Sequence, residues 1–378
     1  MDDFDPRYRP VRQRKIDFSK NLFASVFDEP TCRFVAEMIW GITFARAIRL
    51  TKIARSLEES IPERATIKRL SRNLAKEGIA SVIGERILQL GSDRIGSDTH
   101  LIIHRSQLLK KHTKNMEFLD DLNDGTGKGY EMCDVIGWDY ASGELTSLAQ
   151  TLWSKKEPGF NDDQDLALVR TVRNSVGGRG ILVYPSLSSR EMRTQLTRDD
   201  SCRYVLMVST DDHLLYNGRM RSNLELIDIC KTPYGDTVFV DFEGKERDVF
   251  VHYGFLPVRL PECPDRPLWL VLIKGFDEKF PNKKPNMILT TEPMRQNRQL
   301  LWQMVETYFT SLWASNTNNL IKQRCDFEDI RVRSYTGLKN MAALVLASSY
   351  LITVVPGFSP SDSPVRFHRQ NHPSPEQL

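Results

Sequence analysis

The apolar residues of this chain change their period near residue 98, and that change orders everything the chain can fold into. From Thr31 to Leu90 they recur at helical spacing, as in Ile48, Ile53, Leu57 and then Ile67, Leu70, Leu74, with breaks at Pro62 and Gly78. The pattern predicts a small all-helical domain of three or four helices over 31–95, behind an arm of residues 1–30. On the helix that turns Ile67, Leu70 and Leu74 inward, Lys68, Arg69 and Arg72 project elsewhere. Lys68 and Arg72, four residues apart, share a face.

After a polar linker, Gly91 to Asp98, the pattern becomes extended. Leu101–Ile103, Tyr130–Ile136, Leu145–Leu152, Ile181–Tyr184 and Tyr204–Val208 are short apolar or β-branched runs bounded by turn residues such as Asn123-Asp124-Gly125-Thr126-Gly127. Helical patterns lie between the later runs, at Gln164–Asn174 and Arg190–Thr197. Three strands followed by alternating helix and strand is the order of an α/β (α+β) domain with a mixed sheet, here over 98–209. Residues 210–290 are rich in Pro, Gly and short strands (Thr237–Asp241, Val249–Tyr253, Trp269–Ile273) and read as a β insertion. Helical stretches Met294–Cys325 and Leu338–Ile352 follow within 291–355. The Pro-containing end, 356–378, is expected to be a flexible tail.

Charge is unevenly distributed. The total of +3 is small, yet residues 44–76 hold nine Lys or Arg against three Glu, a local +6 that leaves about −3 elsewhere. This asymmetry points the N-terminal part toward an anionic partner. The six cysteines (32, 133, 202, 230, 263, 325) form no Cys-x-x-Cys pair, so neither a zinc module nor a disulfide framework is expected, and a reducing cytoplasm fits. The charged start lacks an apolar signal region and no window of about 18 uninterrupted apolar residues occurs, so secretion and a membrane location are not expected.

Three short patterns carry chemistry. The first is LIIHRSQLLKKHTKNME, with Lys110, Met116 and Glu117 after His104; the second is Val183-Tyr184-Pro185-Ser186-Leu187; the third runs from Tyr308 through Ser311 and Ser315 to Lys322, followed by QRCDFEDIRVRS over 323–334. With the helical segment Gly41–Leu74, this combination resembles the bacterial insertion-sequence transposases of the DDE type that carry a β insertion between their second and third catalytic residues. The resemblance covers roughly residues 38–352. It implies an RNase H-like mixed sheet preceded by an all-helical DNA-binding domain.

The resemblance also implies where three catalytic carboxylates belong. The family's first Asp ends the first strand, with a Lys six residues on and a Met-Glu pair beyond; Lys110, Met116 and Glu117 keep that register, but His104 occupies the Asp position. The second Asp ends the fourth strand before Arg-Gly; here Pro185 stands there, with Ser186 and Leu187 after it. The third carboxylate lies in a helical signature that retains Tyr308 and Lys322, whereas Ser311 replaces its Arg and Ser315 its Glu. Asn318 and Asn319 depart from the family too, so natural divergence explains the pattern better than substitution of the acids alone.

The replacements bear directly on activity. In the family, carboxylates hold two Mg²⁺ ions, which activate the attacking oxygen and stabilise the leaving oxygen of a phosphodiester. One such contact at about 4 Å and an effective dielectric near 20 is worth roughly 8 kcal/mol before desolvation. A histidine, a proline and a serine supply one borderline nitrogen, nothing, and one neutral hydroxyl. Other carboxylates near the motifs (Asp120, Asp121, Asp124, Asp134, Asp139, Asp211, Asp212, Glu306, Asp326) are more simply turn and surface residues.

The expectation is therefore a catalytically inactive, transposase-derived DNA-binding protein of the bacterial nucleoid, domesticated for regulation, targeting or defence, with no cofactor. Contacts to DNA are expected from Arg46, Arg49, Lys52, Lys68, Arg69, Arg72, Lys110, Lys322, Arg324, Arg331 and Arg333. One alternative is an active Mg²⁺-dependent transposase or nuclease with displaced ligands. Another is a non-enzymatic scaffold, either a homodimer or one holding a protein partner through the β insertion or the tail.

Overall fold

The structure, a computed structural model, describes residues 8–110, 115–122, 127–242, 245–276, 285–294, 297–325 and 327–355. Among these are ten α-helices and a mixed sheet, and the chain divides into two compact units that cut across the sequence blocks.

The first unit comprises residues 1–95, 106–168 and 319–378. Its helices are α1 (Tyr8–Phe23), α2 (Glu29–Ala45), α3 (Leu50–Leu57), α4 (Glu63–Leu74), α5 (Ile79–Ser92) and the late α10 (Tyr335–Val354). Local chemistry sets their ends. Asp28 caps α2 by accepting the Thr31 N–H at 3.1 Å, Pro30 sits in its first turn, and Arg46 closes it in the left-handed conformation at φ 48°. Ser334 caps α10 by accepting the Gly337 N–H at 3.3 Å.

Three expectations change here. The segment 1–30 carries a 16-residue helix, α1, rather than an open arm. The helices of 31–95 also do not enclose a core of their own: Phe34, Ile39, Ile53, Leu70 and Ile83 share one cluster with Leu338, Met341, Val345 and Leu351 of α10. The reason is composition, because α10 is apolar on all sides and must be surrounded. It is long and apolar enough to cross a bilayer, and 78% of that apolar window is buried within the protein, against α2, α5 and strand β4 (Leu145–Trp153). The expected linker at Gly91–Asp98 is likewise partly helix, since α5 runs to Ser92 and Gly91 packs on Leu148.

The strands of this unit are the second half of β1 (His100–Leu109), the short β2 (Asp120–Asp121), β3 (Lys128–Trp138) and β4. β3 pairs antiparallel with β2 and β4 and neighbours β1. Gly129 is required there, because any side chain would strike the Leu108 carbonyl.

The second unit comprises residues 96–105 and 169–318. The first half of β1 pairs in parallel with β5 (Ile181–Leu187), and β5 in parallel with β6 (Tyr204–Met207). Helix α6 (Gln164–Ser175), which begins in the first unit, precedes β5, and α7 (Arg190–Arg198) connects β5 to β6. Beyond β6 come β7 (His213–Tyr216), β8 (Arg219–Ser222), α8 (Asn223–Ile229), β9 (Tyr234–Phe242), β10 (Lys245–Leu260), β11 (Cys263–Phe276) and β12 (Asn286–Thr290). These form an antiparallel extension in the order β6-β12-β11-β10-β7-β8, with β9 also on β10. Helix α9 (Arg298–Arg324) returns from it. The expected tail, 356–378, lies outside the described residues.

Candidate functional site

His104, Pro185 and Ser315 all belong to the second unit. Its parallel register runs His100↔Ile181, Leu101↔Leu182, Ile102↔Val183, and two further residues along it bring His104 opposite Pro185. The paired residues end at Ile102↔Val183, short of that pair, and Pro185, with no N–H, cannot donate to β1. Pro185 and Ser186 also interrupt the pairing of β5 with β6, where Tyr184↔Leu206 is followed directly by Leu187↔Met207. His104 is half-buried and Pro185 buried.

Ser315 lies on the buried face of α9 with Thr307, Ser311 and Ala314. Two contacts fix the direction of that helix. Met304 Sδ is 3.8 Å from Thr290 Oγ1, on the residue paired with Val205, whereas the Tyr308 hydroxyl is 3.9 Å from Met207 Sδ. Over this stretch α9 thus advances in the chain direction of β6, and Ser315 follows Tyr308 by seven residues, roughly 10 Å of helix rise. Thr307 Oγ1 approaches His100 Nε2 at 3.5 Å, which ties α9 to the start of β1. Ser311 donates to the Tyr308 carbonyl at 2.6 Å, a helix-internal bond, while the buried Ser315 hydroxyl has no hydrogen-bond partner among the described residues. Tyr308 stays neutral, its pKa pushed up to about 12 by burial. Chemically, the three positions offer one imidazole and one neutral hydroxyl. The side chains of Asn318, Asn319, Lys322 and Arg324 lie outside the described residues.

Lys110, Met116 and Glu117, expected as motif positions, lie in the first unit and make a different structure. Lys110 is buried, and its ammonium donates to the main-chain carbonyls of Glu328 and of Ile330, the latter at 3.3 Å. Both bonds turn the ammonium into the protein, away from the solvent-facing position expected of a phosphate contact. Glu117 receives the Tyr335 N–H on its carboxylate at 2.8 Å and donates its own N–H to Arg333 O at 3.1 Å. Met116 is buried beside it.

The expected basic contacts divide into two groups. Arg69 is half-buried and ion-paired to Glu37 at 2.6 Å and Glu59 at 2.8 Å; Arg49 is paired with Asp329. Arg69 is held inward by this pairing, with Glu37 only 4% exposed, whereas Arg49 remains partly exposed beside Asp329. Arg331 is exposed and lies 3.4 Å from Asp329, and Arg333 is exposed. Arg46, Lys52, Lys68 and Arg72 are exposed, and Arg64, which the sequence reading passed over, joins Lys68 and Arg72 at four-residue spacing. Arg64, Lys68 and Arg72 make no ion pair among the described residues. The signal that would have found Arg64 was its spacing from Lys68.

The nearby carboxylates have local partners. Asp120 lies 3.5 Å from Lys156, Asp121 3.8 Å from Lys128 and Asp212 2.8 Å from Arg193. Asp134 accepts from Gln150 at 2.8 Å and Asp139 from the Ser142 N–H at 2.7 Å. The Thr210 hydroxyl reaches Asp211 at 3.5 Å, and Glu306 is half-buried on α9. Asp124 and Asp326 lie outside the described residues. Among the described residues no three His, Cys, Asp or Glu side chains are grouped to hold a metal ion. A cleft of about 340 Å³ in the first unit is lined by α5, β4 and α10, and its charged rim is internally matched, Glu157 binding both Lys339 and the Tyr335 hydroxyl.

Neither a protein-family model nor a curated protein matches this chain.

Proposed function

We propose that the protein is a transposase-derived DNA-binding protein that has lost the chemistry of its ancestor. One observation carries this reading: β1 and β5 are adjacent parallel strands paired from His100↔Ile181 to Ile102↔Val183, a register that, extended by two residues, would set His104 opposite Pro185. Those are the positions at which the resembled transposases hold their first two aspartates, and neither residue here can take a carboxylate's part with Mg²⁺. Within the second unit, the parallel run β1-β5-β6 with α7 between β5 and β6 supports an RNase H-like core. The return of α9 after an antiparallel extension supports a β insertion between the second and third positions.

Binding does not need the missing acids. Phosphate contacts from Lys and Arg provide most of the sequence-independent affinity for DNA, and the exposed Arg46, Lys52, Arg64, Lys68 and Arg72 supply them on one short segment. Both properties are tested together by incubating the purified protein with supercoiled plasmid in Mg²⁺ or Mn²⁺ and measuring duplex retention at low salt. Retention without nicking is expected. Metal-dependent nicking that survives further purification and is abolished by changing an acidic residue of this chain would show instead an active enzyme with displaced ligands.

A further inference from the structure

We propose that the cleft between α5, β4 and α10 is a binding site for a free α-amino acid with an apolar side chain, taken up as its zwitterion. The cleft lies wholly within the first unit, whereas His104, Pro185 and Ser315 belong to the second. The proposal does not depend on the DNA-binding reading.

A glycine marks the cleft. Within a helix glycine weakens the element unless its lack of a side chain is put to use. At Gly41 and Gly91 the use is close packing, since a Cβ there would lie 2.4 Å from Ile53 and 2.6 Å from Leu148. Gly84, in the middle of α5, has no such neighbour: a Cβ would meet nothing within 4 Å, and the residue lines the cleft. What its missing side chain leaves is open volume. Ala80 precedes it by one turn of α5, and Ala342 and Ala343 of α10 continue the small wall, over an apolar floor that includes Leu152 and Leu346. The resulting space, about 340 Å³, falls within the range of small-molecule sites.

The polar groups of the cleft select the ligand. Gln150 donates its amide N–H to Asp134 at 2.8 Å, which fixes the amide, and its Oε1 is buried with no hydrogen-bond partner among the described residues. A buried acceptor in that condition calls for a donor. At the rim, Glu157 and Lys339 form an ion pair that Tyr335 organises from both sides: its hydroxyl donates to Glu157 at 2.8 Å, and its ring lies 4.4 Å from Lys339 Nζ. An ammonium has three donors and a carboxylate about four acceptor sites, so these bonds do not exhaust either group. The cleft thus presents an anion and a cation side by side, next to an orphan acceptor and an apolar floor. A ligand of one charge would meet one attraction and one repulsion there, and an uncharged apolar ligand would leave the acceptor unmatched. A zwitterion meets all of it. Its ammonium has donors for Glu157 and Gln150, its carboxylate accepts from Lys339, and its side chain covers the floor.

The test is calorimetry and thermal melting of the full chain with L-leucine and L-phenylalanine, since a ligand of the folded state raises the melting midpoint. Two analogues serve as comparison: phenylpropionate lacks the ammonium and phenethylamine lacks the carboxylate. At least one of the amino acids should bind, and L-phenylalanine should bind about tenfold or more tightly than either analogue. Gly84→Leu, whose side chain enters the open volume, should fold with a midpoint no lower than that of wild type and lose the response. Lys339→Gln, at a partly exposed position, should fold and weaken binding about tenfold. No midpoint rise with either amino acid, analogues that bind as well as L-phenylalanine, or a response unaltered in both variants would overturn the inference.

Discussion

Glu117 holds the first turn of α10: its carboxylate accepts the main-chain N–H of Tyr335 at 2.8 Å, one residue after the Ser334 cap. Its own carbonyl accepts the Tyr130 hydroxyl at 2.6 Å, and the Tyr130 and Tyr335 rings stack at 5.7 Å. Lys110 and Glu117 thus both bind the main chain of the segment that leads into α10, at Glu328, Ile330, Arg333 and Tyr335.

Glu117→Ala leaves the Tyr335 N–H without its acceptor in a part-buried setting, and should cost about 1 kcal/mol. Glu117→Gln keeps an acceptor and should cost less. Urea midpoints of the two variants measure this, and midpoints equal to wild type would mean that the anchor contributes nothing.

Lys110 and the outward cations of α4 should separate cleanly. Lys110→Met removes a buried ammonium together with its carbonyl bonds; it should lower the melting midpoint and leave the salt slope of duplex binding unchanged. The double variant Lys68→Ala, Arg72→Ala should keep the midpoint and lose about two units of slope. A slope change in Lys110→Met with an unchanged midpoint would return Lys110 to the DNA interface.

Two titrations should limit stability at opposite ends of the pH scale. Burial pushes Tyr130 up to about 12 from 10.0, so the folded chain keeps the phenol neutral while the unfolded chain ionises it. That contribution is complete below pH 10 and is lost as pH rises toward 12. At Glu59 burial acts to raise the pKa, but hydrogen bonds from Thr66 and Arg69 outweigh it, holding the group below its ordinary 4.5. Its contribution is present above that value and fades as pH falls through it. Denaturant titrations across pH should show both losses. Thr66→Val should reduce the acid one, and an unaltered acid limb would mean that Glu59 plays no part in it.

Much of the element order was legible because apolar periodicity reports local structure directly. The runs at Leu101–Ile103, Ile181–Tyr184 and Tyr204–Val208 fall in β1, β5 and β6, and Arg190–Thr197 falls in α7. What the sequence hid was nonlocal. Nothing in Leu338–Ile352 says that it will pack among helices some 250 residues earlier, since an apolar helix is compatible with any apolar surroundings. Charge was the other blind spot. Lys68 and Arg69 are indistinguishable by composition, yet one faces solvent and the other binds Glu37, because a side chain's partner is set by its angle around the helix and by what packs there.

The last prediction tests whether His104 and Ser315 share one site. Ser315 is 4% exposed and its hydroxyl has no partner among the described residues, so Ser315→Glu should bury an unmatched carboxylate and lower the melting midpoint. His104→Asp alone, at a half-buried strand position, should cost less. If the register that sets His104 opposite Pro185 also brings α9 over that strand edge, the two new carboxylates will face each other and repel, which makes the double variant worse than the sum of its parts. A divalent cation then reverses the sign, because an ion bound only by the folded chain stabilises it by about 2.7 kcal/mol at a hundredfold excess over Kd. Melting midpoints in Mn²⁺ and in chelator should therefore differ for the double variant and for neither single one. Equal midpoints in the two buffers, with additive costs, would mean that His104 and Ser315 stand apart and that the assignment of Ser315 to the third position is wrong.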